Sequence, residues 1–131
     1  MCIPVSFSPE DLKRGQVFEP DWYRVHINSI EAATSKDGGS TNYLVKGVVL
    51  KNASNGDEKY KDYPTPYWNF NSKAMGFTQG FFRALGVEIE AGVRYDLEAM
   101  SGKDIDVMIE NDTYNGALVN RINHKYRAPK D

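Results

Sequence analysis

The dipeptide Asn115-Gly116 constrains the fold of this chain more than any other feature, because it lies between two runs of alternating residues. Asn-Gly is a preferred pair for the two-residue turn that joins antiparallel strands. We therefore predict a hairpin with strands over residues 102–112 and 117–126. With this pair in the turn, the register on one face matches Ile109 with Ile122, Val107 with His124 and Ile105 with Tyr126. The other face then matches opposite charges: Glu110 with Arg121, Asp106 with Lys125 and Asp104 with Arg127.

Three more strands are predicted earlier in the chain. Apolar residues alternate with polar ones from Trp22 to about Ala33, so Tyr23 and its alternate neighbours face the core while Arg24 faces outward. A second strand is predicted over residues 43–51. A third is predicted over residues 59–70, at a sheet edge or with an interrupted ladder, because it contains Pro64 and Pro66.

Two helices are predicted as well. A short one begins at Pro9 after a Ser8 cap. A longer one covers residues 73–85, with Asn71 or Ser72 as its cap and Gly86 in a left-handed conformation at its end. Its core stripe is expected to consist of Ala74, Phe77, Phe81 and Leu85, with Phe82 beside it. Its two glycines, Gly76 and Gly80, are expected to let the helix approach a strand closely.

This order of elements predicts a mostly β fold, a single OB-fold-like five-stranded Greek-key barrel with a helix between strands 3 and 4 and a short N-terminal helix. A different small barrel, or an open sheet with one packed helix, would have the same composition. The predicted organisation is an N-terminal arm over residues 1–20, an OB-like domain over residues 21–127 and a short tail over residues 128–131.

Length and composition limit the class of protein. The chain has 131 residues, which suits one domain, and no stretch is apolar enough to span a bilayer. Cys2 is the only cysteine, so no intramolecular disulfide is expected. The N-terminus lacks a basic segment followed by an apolar one, and a cytoplasmic location is therefore expected.

Charge is distributed unevenly although the net charge is only -2. Residues 41–86 carry more basic than acidic groups: Lys46, Lys51, Lys59, Lys61, Lys73 and Arg83 against Asp57, Glu58 and Asp62. Rings crowd into the same region, between Tyr60 and Phe70. Aromatic rings beside unpaired cations are typical of a surface that stacks bases and neutralises phosphates.

Candidate binding residues follow from this pattern. The stacking candidates are Tyr60, Tyr63, Tyr67 and Trp68, with Tyr114 at the hairpin tip. Trp68 and Phe70 share one strand face and Tyr67 lies on the other. The phosphate-binding candidates are Arg24, Lys46, Lys51, Lys61 and Lys73.

Several segments resemble a bacteriophage early-protein family over roughly residues 20–127. They are the runs 22–27 (Trp-Tyr-Arg-Val-His-Ile) and 67–71 (Tyr-Trp-Asn-Phe-Asn), the helix that ends Arg-Ala-Leu-Gly at Gly86, and the Tyr-Asn-Gly hairpin followed by Asn120-Arg121-Ile122. Members of that family are regarded as OB-like single-stranded DNA-binding proteins encoded near replication and recombination genes. The resemblance implies single-stranded DNA as the partner, in phage DNA replication or recombination and in the host cell cytoplasm. The acidic C-terminal tail by which many such proteins recruit partners is absent from the sequence.

Other functions have less support. The acidic residues Asp104, Asp106, Glu110 and Asp112 suggest a metal-dependent nuclease, but they spread along one strand face without a nearby base. We expect no enzyme activity, no cofactor and no metal. A non-catalytic protein-interaction module that binds a replication or recombination partner is the alternative function. The sequence leaves open self-association into a homo-oligomer and the choice between DNA and RNA.

Overall fold

The computed structural model describes residue 4, residues 6–36 and residues 38–129. Cys2 and the last two residues of the predicted tail lie outside these described residues. The elements, in chain order, are α1 Pro9–Arg14, β1 Asp21–Thr34, β2 Thr41–Asn52, β3 Trp68–Asn71, α2 Met75–Ala84, α3 Leu97–Met100, β4 Asp104–Tyr114 and β5 Ala117–Arg127. No helix in this part of the chain is both long and apolar enough to cross a membrane.

The five strands form one antiparallel sheet in the order β3-β2-β1-β4-β5. β1 is central because it pairs with β2 along most of its length and with β4 from Asp21 to His26. The predicted mostly β architecture is confirmed. The sheet is open, with β3 and β5 as its two edge strands.

Side chains bring the two edge strands together. The indole nitrogen of Trp68 on β3 donates a 2.9 Å hydrogen bond to the hydroxyl oxygen of Tyr126 on β5. Phe81 of α2 packs against both rings, with centroid distances of 5.4 Å to each. Since these strands lie at opposite ends of the sheet, the sheet must curl, and α2 packs where its edges meet.

The core forms from the inward faces of the central strands. Tyr23, Val25 and Ile27 of β1 are buried, as their alternation predicts, and Ile105, Val107 and Ile109 of β4 are buried beside them. Burial of each such side chain stabilises the fold by about 1.5–3 kcal/mol. The sheet therefore provides most of the core.

The predicted register of the last hairpin is correct only near the turn. Pairing follows the prediction from Tyr114 and Ala117 to Ile109 and Ile122. Beyond a bulge at His124, whose φ is 50°, Val107 pairs with Tyr126 and Asp106 with Arg127. The predicted pairs beyond the bulge are therefore wrong: Val107 with His124, Ile105 with Tyr126, Asp106 with Lys125 and Asp104 with Arg127. The physical reason is that β5 has extra residues in the bulge, which shift every later pair.

The long helix differs from its prediction in extent and orientation. α2 begins after Ala74, and neither Asn71 nor Ser72 supplies a side-chain cap. Its buried positions include Thr78 and Phe81, whereas Phe77 is 51% exposed, so Phe77 was wrongly assigned to the core stripe. Gly86 has the predicted positive φ, at 87°.

The glycines of α2 do not mark a close approach. A Cβ atom built on Gly76 or on Gly80 meets no atom within 4 Å. The expectation that they let the helix contact a strand closely is wrong, because α2 meets the sheet through its phenylalanines.

The aromatic segment is mostly irregular. Only Trp68–Asn71 forms a strand, and Asp62 has a positive φ of 69° within the turns that precede it. The prolines interrupt the ladder, as predicted. Backbone hydrogen bonds from the amide of Val49 to the Tyr63 carbonyl (2.8 Å) and from Thr65 to the Gly47 carbonyl (3.0 Å) still hold the segment along β2.

Candidate nucleic-acid interface

Two adjoining clefts border the start of β3. The first cleft, of about 620 Å³, is lined by residues 44–48, residues 64–68, Lys13, Asn28 and Asn120. The second cleft, of about 510 Å³, is lined by residues 67–69, Tyr114 and residues 119–124. They share Tyr67, Trp68 and Asn120. One elongated surface therefore runs from β2, past the start of β3, to the β4–β5 hairpin.

Tyr67 stands where the two clefts meet. It is 77% exposed, whereas the next residue, Trp68, is 1% exposed. Strand geometry explains the contrast, because successive side chains point to opposite faces. The predicted opposite orientations of Tyr67 and Trp68 are confirmed. A flat, exposed ring between two clefts can stack on a flat ligand.

The lining of the clefts is basic and carries no carboxylate among the residues that the structure describes. Lys13 and Lys46 line the first cleft, and Arg121 lines the second. The acidic partners of Lys46 and Arg121 stand outside the lining: Lys46 lies 3.5 Å from Glu31, and Arg121 lies 2.9 Å from Asp112. Exposed ion pairs contribute only about 0–1 kcal/mol, so an anionic ligand can compete for both cations.

Asparagine side chains supply neutral polar groups in the same clefts. Asn28 lies in the first cleft and Asn69 in the second, and neither side chain makes a hydrogen bond to another described residue. An amide offers both donors and an acceptor, which match the edges of unpaired bases. Sequence reasoning missed both. Asn69 could have been found from its outward position beside Trp68, and Asn28 lies at a register shift between Ile27 and Ser29.

The clefts bring together some of the predicted binding residues and leave others out. The clefts bring together Lys46, Tyr67 and Tyr114, and also the buried Trp68. Lys51, Lys61 and Lys73 line neither cleft. Tyr63 is half-buried and packs edge-on against Tyr60, with 5.6 Å between ring centroids.

Three of the predicted contact residues have buried side chains. Tyr60 stacks on Phe18 in the core at a centroid distance of 4.3 Å, and Trp68 is enclosed by α2 and β5. Arg24 is also buried, and its Nε lies 3.0 Å from Asp106 Oδ1. Arg24 does point away from Tyr23, as predicted, but side chains of β4 and β5 cover it. The burial of these side chains argues against them as contact residues, although Trp68 lies in the wall of both clefts.

The acidic residues of β4 do not converge on a common point. Asp104 contacts His26 at 2.8 Å, Asp106 contacts Arg24 and Arg127, and Asp112 contacts Arg121. These carboxylates therefore contact different side chains. Among the described residues, no group of three histidine, cysteine, aspartate or glutamate side chains could hold a metal ion.

His124 lines the second cleft next to two aromatic side chains. Trp68 donates to the Tyr126 hydroxyl, and that hydroxyl lies 2.9 Å from His124 Nδ1. Burial lowers the pKa of His124 below its ordinary value of 6.5 and raises the pKa of Tyr126 above its ordinary value of 10, and both shifts favour the neutral forms.

Comparison with known proteins did not identify the chain. No family model matches it, and no curated protein matches it significantly. The resemblance to the phage early-protein family stays a prediction from the sequence.

Proposed function

We propose that this protein binds single-stranded DNA with low sequence specificity through the two clefts, and that it acts in phage DNA replication or recombination. The observation that carries the proposal is the exposed ring of Tyr67 between two clefts whose described lining residues include cations and no carboxylate. Stacking on such a ring contributes about 1–3 kcal/mol per base, whatever the base.

The arrangement of strands supports an OB-like reading of the fold. In OB-folds, oligonucleotides bind across the face of strands 2 and 3, between the first and last hairpin loops. Here the clefts lie beside β2 and β3 and reach the β4–β5 hairpin at Tyr114. The contacts between the edge strands give the curl that such a barrel requires.

Fluorescence anisotropy of a labelled oligo-dT at two salt concentrations tests the proposal. A label on the DNA is preferable to tryptophan fluorescence, because Trp68 is buried and Trp22 lies 4.2 Å beneath the Arg127 guanidinium. We expect Tyr67→Ala to weaken binding by about 5- to 150-fold and Tyr67→Phe to bind almost normally, since the ring makes the contact.

Two exposed lysines provide a matched control for the phosphate contacts. Lys46 and Lys61 each form an exposed ion pair, at 3.5 Å and 3.6 Å, but only Lys46 lines a cleft. Lys46→Gln should weaken binding and reduce its salt dependence, and Lys61→Gln should do neither. Wild-type protein that gives no anisotropy change at micromolar concentration and low salt would refute the proposal.

A protein-interaction module is the second candidate, and the β4–β5 hairpin favours it. Tyr114 and Leu118 are both exposed there. An exposed pair of large apolar side chains suits contact with a replication or recombination protein. This function would be supported instead if the protein does not bind oligo-dT but recovers a partner from nuclease-treated lysate. The Tyr114→Ser, Leu118→Ser double variant should then fail to recover that partner.

A further inference from the structure

The end of the N-terminal arm is held against β5 by the side chain of Asn120. Asn120 Nδ2 donates a 2.7 Å hydrogen bond to the carbonyl of Gln16, and Asn120 Oδ1 accepts a 2.8 Å bond from the amide of Phe18. Both the donor and the acceptor of this side-chain amide therefore form hydrogen bonds with the arm. The same asparagine lines both clefts.

The end of the arm is also anchored in the core. Phe18 is 1% exposed and stacks on Tyr60. A buried ring next to two backbone hydrogen bonds leaves the arm little freedom at residues 16–18. The position of α1, which precedes them, is set from this anchor.

Lys13 of α1 reaches the first cleft. It lines that cleft, and its ammonium nitrogen lies 5.6 Å from the centroid of the Tyr63 ring. Tyr63 directly precedes residues 64–68, which form another wall of the same cleft. The ammonium group of Lys13 therefore lies at the wall of the first cleft, where a bound phosphate would meet it.

We propose that the arm is part of the binding surface, in which Lys13 contacts a backbone phosphate of single-stranded nucleic acid in the first cleft and Asn120 is a positioning residue that holds the arm in place. This inference rests on the proposed function. Phosphate is the chemical match because the cleft lining offers cations and amides but no carboxylate among its described residues. α1 thereby acts as a wall of the site.

The dependence of binding on salt tests the role of Lys13. Each phosphate contact with a single strand contributes about 0.7 to the slope of log K against log salt. When salt is raised from about 50 to about 200 mM, the factor by which affinity falls should therefore be roughly 2.5 times smaller for Lys13→Gln than for wild type. Lys125→Gln is the matched control, because Lys125 is exposed on β5 and lines neither cleft, and its salt slope should equal that of wild type.

The role of Asn120 requires a second readout. Asn120→Ala should increase amide hydrogen exchange in the arm and should also weaken oligo-dT binding. If Asn120 acts by positioning Lys13, then Lys13→Gln should have little further effect in the Asn120→Ala background. Equal effects of Lys13→Gln in both backgrounds would overturn the positioning role.

The outcomes separate this inference from the proposed function. Normal oligo-dT binding with an unchanged salt slope in Lys13→Gln overturns the inference and leaves the proposed function intact. A wild-type protein that does not bind oligo-dT overturns both. Because Lys13→Gln is also measured in the wild-type background, its result does not depend on how well the Asn120 variant folds.

Discussion

The indole nitrogen of Trp68 lies 2.9 Å from the hydroxyl oxygen of Tyr126, and this hydrogen bond joins the two edge strands of an open sheet. The two rings also stack, with centroids 5.7 Å apart. Since no ladder connects β3 with β5 in the described part of the chain, contacts of this kind keep the edges together.

Tyr126→Phe should therefore destabilise the protein although it removes one atom. The change leaves the buried indole N–H without its acceptor, at a cost of about 1–3 kcal/mol in the free energy of unfolding. Urea denaturation measures it. Tyr114→Phe is the control, because that tyrosine is exposed at the hairpin, and its effect should stay within about 0.5 kcal/mol. Equal stability of the two variants would contradict the prediction.

Stability should also depend on the carboxylate of Asp106. It is 1% exposed and lies between Arg24 at 3.0 Å and Arg127 at 3.5 Å. Removal of its charge breaks the buried ion pair with Arg24, so Asp106→Asn should lower the free energy of unfolding by about 3–5 kcal/mol.

An exposed ion pair in the same hairpin is the control for Asp106. Asp112 contacts Arg121 at 2.9 Å on the surface. Asp112→Asn should therefore change the free energy of unfolding by less than about 1 kcal/mol in the same urea experiment. A cost for Asp106→Asn as small as this would show that solvent reaches the cluster.

Arg24 illustrates how far the sequence can predict this site. Alternation correctly places it on the face opposite Tyr23, but it does not reveal that Asp106 and Arg127 cover that face. The covering side chains belong to residues more than eighty positions along the chain. Their register also depends on a bulge at His124, which the residue types do not predict. Tyr67 was predictable because it needs only local alternation. The same reasoning explains why the hairpin register was right next to Asn115-Gly116 and wrong beyond the bulge.

His124 should make stability depend on pH. Burial lowers its pKa in the folded state below the ordinary value of 6.5, so the unfolded chain binds the proton more readily. The stabilising contribution is thus complete above about pH 6.5 and is lost as the pH falls through the lower, folded-state pKa. The melting temperature should decrease between about pH 7.5 and about pH 5.

His124→Asn provides the control, because asparagine tolerates the positive φ at this position. The variant should lose less stability than wild type over the same pH range. The other described histidine, His26, is present in both proteins, so its contribution cancels in the difference. The same decrease in both proteins would assign the pH dependence to other groups.

A side chain at position 47 should destabilise the protein, because it would meet the backbone of β1. A Cβ atom at this position would lie 2.5 Å from the carbonyl oxygen of His26, and a backbone atom of β1 cannot move aside cheaply. Gly47→Ala should lower the free energy of unfolding by about 1–3 kcal/mol, as overpacking does elsewhere. Gly80→Ala should instead raise it by up to about 1 kcal/mol, because Gly80 is helical and its Cβ would meet no atom within 4 Å.

The Gly47→Ala variant also shows whether this glycine, which lines the first cleft, is needed for stability or for ligand binding. If the close approach of β1 and β2 explains this glycine, Gly47→Ala should unfold at lower urea concentration even without ligand. Unchanged stability together with weaker oligo-dT binding would mean that the glycine instead leaves room for the nucleic acid. We expect the first result, since the nearest atom to the added methyl group belongs to the neighbouring strand.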